Sequence, residues 1–233
     1  MIPLHDDNPT DVPPVFTILL IAACVLVFLW QISLGKAQER AILALGVIPS
    51  ILLGERRLSP ELALVPPELT ILTSMFLHGG WMHLIGNMLY LWVFGNNVED
   101  AMGHLRFLVF YGLCGAAAVF AQALPNPAST IPMIGASGAI SGVLGGYLLL
   151  YPHARVLVGI PLGFIIHTAR LPALWVLGFW FVLQIINTLL AGEGQGGVAR
   201  GAHIGGFIAG MLLLPLFRRR GVRLFQPVRR NHD

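Results

Sequence analysis

The sequence predicts an all-α fold: a polytopic membrane protein built as a bundle of six transmembrane helices. Composition and charge placement carry that prediction. Of the 233 residues, 56% are hydrophobic and 11% are charged, where water-soluble domains carry about a quarter charged residues. The charges also fall in clumps, leaving long uncharged stretches between them. A net charge of +3 is no footprint for nucleic acid, because six of the fourteen lysines and arginines lie in the last sixteen positions.

The elements follow in chain order. The opening "MIPLHDDNPTDVPP" has three aspartates and no lysine or arginine. It lacks the positive n-region of a secretory signal, so the first apolar run is expected to remain as an anchor. A span needs about 20 mostly apolar residues. Six stretches qualify: 14–32, 81–98, 105–124, 137–151, 172–190 and 203–217. They define a six-helix membrane domain over 14–217, preceded by a cytoplasmic N-terminus at 1–13 and followed by a basic cytoplasmic tail at 218–233. The fourth and sixth spans are short and rich in glycine. Two further apolar pieces, 41–54 and 156–167, each contain a proline and have charges close by. Both read as interfacial or re-entrant segments. Cys24 and Cys114 sit in apolar helical runs, where they act as small packing residues and suggest neither a disulfide nor a metal site.

Basic residues favour the cytoplasmic side, which places the arginine-rich tail inside. Six spans then put the N-terminus inside too. Arg106, Arg155 and Arg170 join the tail on that side, against Lys36, Arg40, Arg56, Arg57 and Arg200 outside. With this parity the second, fourth and sixth spans all start at the outer face. Their starts are "HGGWMHLIGN", "GASGAISG" and "GAHIGG", which hold most of the polar side chains with catalytic potential.

Ser137, in "GASG", has two readings. Gly138, Gly142 and Gly146 continue at a spacing of four, the mark of close helix packing. A serine opening a helix also stands beside unpaired backbone N–H groups and the positive dipole end, which suit a developing oxyanion. The soluble-hydrolase elbow G-x-S-x-G is not matched, because residue 139 is Ala139. His203 shifts the balance toward chemistry, since an ionisable group within a membrane segment is costly to keep. Gly206 and Gly210 lie below His203 as the other glycines lie below Ser137. Two glycine-faced helices can approach closely enough for a Ser–His hydrogen bond, the geometry that activates a serine.

His83 and Asn87, spaced i, i+4, share one face of the second span. They are suited to donate hydrogen bonds to an oxyanion, one such donor being worth roughly 3 kcal/mol. His78 reads as structural, holding the start of that helix or the outside loop. No H-E-x-x-H motif occurs, no aspartate lies within a span, and no carboxylate lies at these three helix starts. A serine hydrolase here would work with a Ser–His dyad.

From about Leu69 to Phe217 the chain resembles the rhomboid family of intramembrane serine proteases. "HGGWMHLIGN" resembles the family's His…His-x-x-x-Asn segment, "GASG" its nucleophile motif and "AHIGG" its base motif. "GNNVEDAMG" resembles the segment that ends the second helix, where Glu99 matches a structural glutamate. The resemblance implies a six-helix bundle with Ser137 as nucleophile and His203 as general base. It also implies an oxyanion hole of His83, Asn87 and the Ser137 backbone N–H, opening to the outer face. The chain departs from the family pattern in two places. Leu69 and Thr70 stand where many members have Trp-Arg, and Ser141 stands where some carry an aromatic that stacks on the base.

The expected function is therefore cleavage of other membrane proteins in or beside a transmembrane segment, after small residues. The expected setting is a bacterial or archaeal cell membrane, with both termini cytoplasmic. The partners are transmembrane substrates and the lipid bilayer, with no cofactor and no nucleic acid; the oligomeric state is left open. A substrate helix must unwind locally before its amide is accessible. The polar loop "AGEGQGG" (191–197) is expected to help water reach the site. A rhomboid-like protein that binds membrane helices without cutting them is the main alternative, and a transporter is another. Retention of Ser137, His203, His83 and Asn87 together argues against the first. The lack of intramembrane carboxylates argues against the second.

Overall fold

The computed structural model describes residues 1–163, 165–190 and 200–226. In chain order these form β1 (Ile2–Asp6), α1 (Val15–Ser33), α2 (Gln38–Leu45), α3 (Pro49–Leu52), α4 (Thr70–Thr73) and α5 (Trp81–Met102). Then come α6 (His104–Ala123), α7 (Ser137–Leu150), β2 (Arg155–Leu162), β3 (Ile165–Pro172), α8 (Ala173–Leu190) and α9 (Arg200–Phe217). The six expected spans match α1, α5, α6, α7, α8 and α9 to within a few residues at each end. Three of these, α1, α6 and α8, are long and apolar enough to cross a membrane. Helix α7 and the segment Gly201–Phe217 are apolar but shorter, and α5 carries Glu99 and Asp100 near its C-terminal end. Side chains such as Leu26, Trp175 and Leu212 are more than 60% exposed, an apolar surface suited to lipid rather than water.

Helix α7 is the axis of the bundle. Eleven of its fourteen residues are buried, and α5, α6 and α9 pack around it. The glycine ladders explain how close that packing is. A Cβ on Gly206 would lie 2.0 Å from the carbonyl oxygen of Gly138, and one on Gly210 would lie 1.9 Å from that of Gly142. Only backbone fits between these two helices. Cys114 of α6 closes against Gly142 in the same way, which is the packing role expected of it. Helix α8 is the least embedded, burying only Ala173, Val176 and Leu177.

The end of the bundle away from Ser137 is tied by polar contacts. Helix α1 has no side-chain cap of its own. Instead the Phe16 and Thr17 N–H groups donate to the two carboxylate oxygens of Glu99, each at 2.8 Å. A carboxylate thus satisfies the orphan donors of a helix N-terminus and complements its dipole. Gly103, at φ 81°, then turns the chain sharply from α5 into α6.

The all-α expectation needs a correction. Strands β1, β2 and β3 form an antiparallel sheet in that order, with Ile2 opposite Gly159 and Leu157 opposite Arg170. The apolar piece 156–167 therefore runs along β2, through the turn and into β3 of a β-hairpin. Its alternation explains why: Val156 and Val158 are fully buried while Arg155 is exposed and Leu157 partly so, the period of a strand. Gly163, at φ 66°, makes the turn.

The piece 41–54 folds as the end of α2 and as α3, and between them Val47 forms an antiparallel bridge with Met133. That bridge fastens the first loop to the segment leading into Ser137. Both flanks of the bundle are packed down as well: Asn97 donates to the Asn8 carbonyl, and Phe225 N–H to that of Leu149.

Candidate active site

The starts of α5, α7 and α9 share one end of the bundle. Ser137 is the first residue of α7, and its Oγ donates to Nε2 of His203 at 2.8 Å. That bond requires the ring to accept at Nε2 and so to carry its proton at Nδ1. On that side, Nδ1 donates to Oε1 of Gln184 at 2.9 Å. The indole of Trp180 lies against the same imidazole, 5.9 Å between centroids at a tilt of 38°. His203 is only 9% exposed, so its ring is held on three sides.

Gly135 shapes the approach to the serine. Its φ of 118° lies in the region that favours glycine, and its N–H is anchored to the Ser74 carbonyl at 2.9 Å. A Cβ there would sit 2.8 Å from Nε2 of His83 and 3.6 Å from Nδ2 of Asn87. Both α5 side chains therefore converge on the backbone two residues before Ser137.

Their hydrogen bonds assign their roles. The Gly79 N–H donates to Nδ1 of His83 at 3.2 Å, which leaves the ring proton on Nε2, the atom facing Gly135. Asn87 is 9% exposed, and its Nδ2 has no partner among the described residues. Two spare N–H donors thus point at one small region.

His78 is a different kind of residue. It is fully buried, and its backbone is clasped by Gln31, with N–H donating to Oε1 at 3.1 Å and the carbonyl accepting from Nε2 at 2.7 Å. Its ring packs edge-on to His83 at 5.1 Å. It fixes the start of α5, as its position in the sequence suggests. Ser141 does not touch His203; its Oγ donates to the Ser137 carbonyl at 2.6 Å. At the other departure from the family pattern, Thr70 is buried and donates to the Pro67 carbonyl, while Leu69 is half exposed.

Three side chains around the dyad escaped the sequence reading: Gln184, Trp180 and Gln122. Gln122 accepts from the Ala202 N–H at 3.3 Å and seats the start of α9. A signal for Gln184 was present, since a long amide in a run as apolar as α8 needs a partner. The loop at 191–197 lies outside the described residues.

Comparison with known proteins identifies the family. The Rhomboid domain model matches residues 68–220. Rhomboid protease GluP of Bacillus subtilis is 30% identical over 221 residues, covering 92% of this chain and 38% of its own length. The mitochondrial Rhomboid protein 1 of Saccharomyces cerevisiae is 37% identical over 98 residues, 40% of this chain and 28% of the relative. RHOMBOID-like protein 5 of Arabidopsis thaliana is 28% identical over 187 residues, 79% of this chain and 55% of the relative. The chain thus spans less than two thirds of the length of each of these relatives. With a family model covering well over half of it, the chain belongs to the rhomboid family.

Proposed function

We propose that this chain is an intramembrane serine endopeptidase. It cleaves transmembrane proteins near one face of the bilayer, with Ser137 as nucleophile and His203 as general base. The observation that carries the reading is the 2.8 Å bond from Ser137 Oγ to His203 Nε2. As Oγ attacks the scissile carbonyl, Nε2 takes its proton, and the carbonyl oxygen becomes an oxyanion. Nε2–H of His83, Nδ2–H of Asn87 and the Ser137 backbone N–H receive that charge. The imidazolium then gives its proton to the leaving amine, and water hydrolyses the acyl-enzyme by the same route in reverse.

Six spans and both termini in the cytoplasm complete the reading. The alternating directions of α1, α5, α6, α7, α8 and α9 support it, as does the arginine excess of the tail. Single cysteines placed at Ser129 and at Arg220 test the orientation with an impermeant thiol reagent on intact cells. The first should label and the second should not; the reverse pattern overturns it.

Chemistry is tested with a fluorophosphonate probe and a transmembrane substrate offered to the purified protein in detergent. Wild type should label and cleave, whereas Ser137→Ala and His203→Ala should do neither, and the double variant should be no worse than either. A wild-type protein that binds the substrate helix yet neither labels nor cuts it would establish the helix-binding alternative instead.

A further inference from the structure

We propose that Gln184 is the positioning residue of the dyad, taking the place that a carboxylate holds in a Ser–His–Asp triad. The proposal rests on the reading of Ser137 and His203 as nucleophile and base. The two ring nitrogens of His203 face a serine hydroxyl, which can donate or accept, on Nε2 and an amide oxygen on Nδ1. An imidazole can accept from the hydroxyl only if its proton is on the other nitrogen, and an amide oxygen is an acceptor alone. Gln184 therefore selects the one tautomer in which the base is free to work.

The same helix supplies a second restraint. Trp180 lies one turn before Gln184 on α8, and its ring face limits the tilt of the imidazole. Phe207, on the helix of His203 itself, packs against the same indole at 6.1 Å. The helix of the nucleophile contributes nothing comparable, because Ser141 is spent on a backbone carbonyl. Alignment of the base thus comes from α8.

A neutral amide suits this setting better than a carboxylate would. A buried charge in an apolar bundle is costly unless fully paired, while an amide fixes the tautomer without that cost. It also offers the imidazolium a dipole rather than a full charge. Among the described residues, the titratable side chain whose charge acts on His203 is His83, across the site. A carboxylate at 184 would place an anion where the described residues have none.

The test uses the full chain in detergent, with cleavage of a transmembrane substrate followed from pH 5 to 9. Thermal stability is measured alongside, and Ser137→Ala serves as the control. Gln184→Leu should lower kcat about 10- to 100-fold with KM and melting temperature unchanged, less than the roughly 10⁴-fold cost of a fully wrong tautomer in a soluble triad. Gln184→Glu should retain turnover at alkaline pH, because the carboxylate accepts the same proton. It should also move the acid limb of kcat upward by about one pH unit, since an adjacent anion favours the imidazolium. A side chain that merely packs would leave that limb in place. The proposal is overturned if Gln184→Leu cleaves as fast as wild type or faster, or if Gln184→Glu leaves the acid limb unmoved. Cleavage surviving in Ser137→Ala would instead remove the underlying reading.

Discussion

The two ends of the bundle bury polar groups to a similar depth and use them in opposite ways. At one end, Glu99 is fully buried and accepts four hydrogen bonds: from the Phe16 and Thr17 N–H groups, the Thr17 hydroxyl and the His104 ring. Asp100 beside it binds the Asp11 N–H and the Arg219 guanidinium. At the other end, the donors of His83 and Asn87 converge on Gly135, and Asn87 Nδ2 has no partner among the described residues. Asn8 and Asn97 also keep one spare atom each, but neither stands beside a nucleophile. Burial alone does not mark a site. Spare hydrogen-bonding capacity gathered at a reactive atom does.

The largest effect expected concerns what holds both ends in register. Gly210→Leu drives a side chain into the Gly142 carbonyl, where even a Cβ would be 1.9 Å away. Backbone cannot give way as a rotamer can, so a loss of about 4–5 kcal/mol or more is expected. No monodisperse folded protein should be recovered. Gly112→Leu on α6, where a Cβ meets nothing within 4 Å, should express and cleave as wild type does. Equal tolerance of both changes would mean that α7 and α9 are not packed backbone to backbone.

Next comes the end held by Glu99. Glu99→Ala strands the first N–H groups of α1 inside the protein, at a cost of about 3–5 kcal/mol. The melting temperature should fall, while cleavage per folded molecule stays close to wild type. If turnover collapsed at unchanged stability, the division of labour between the two ends would be wrong.

The end that holds Ser137 should give the mirror image. His83→Ala and Asn87→Ala should each slow cleavage by about 10²–10³-fold with little change in melting temperature. Neither group takes the serine proton, so fluorophosphonate labelling should persist at a reduced rate. Should Asn87→Ala lower stability and turnover together, it is a tether between helices.

Much of this contrast was legible in the sequence, for physical reasons that also explain the rest. Ser137, His203, His83 and Asn87 sit at helix starts, where spacing along one helix or position at its first turn identifies them. The glycine ladders announce their own packing. Glu99, by contrast, acts through the backbone of α1, 83 and 82 residues away in sequence, and only the family resemblance pointed to it. Gln184 meets His203 across two helices, so no local pattern could link them. The sheet was missed because Pro161 and the charges nearby made an apolar run look interfacial or re-entrant. What makes that run a strand is its pairing with Ile2–Asp6, far away in the chain.

The smallest effect expected is also the one that separates the ends by pH. Asp6 of β1 is 4% exposed and accepts from the Tyr147 hydroxyl of α7 at 2.6 Å. Burial raises its pKa from 3.8 to about 6, outweighing the Tyr147 hydrogen bond, which pulls the other way. His5 and Asp7, its charged neighbours, act in opposite directions to each other. With the folded value above the unfolded one, Asp6 favours the fold fully below about pH 4, and that advantage is lost as the pH rises through about 6. A shift of about two units corresponds to roughly 2–3 kcal/mol. Asp6→Asn keeps an oxygen for Tyr147 but never ionises. Its melting temperature relative to wild type should therefore climb between pH 4.5 and 7.5, while its turnover per folded molecule relative to wild type, set at the far end of α7, stays level. A constant difference across that range would show that Asp6 does not titrate inside the fold, and a parallel change in turnover would show that α7 links the two ends.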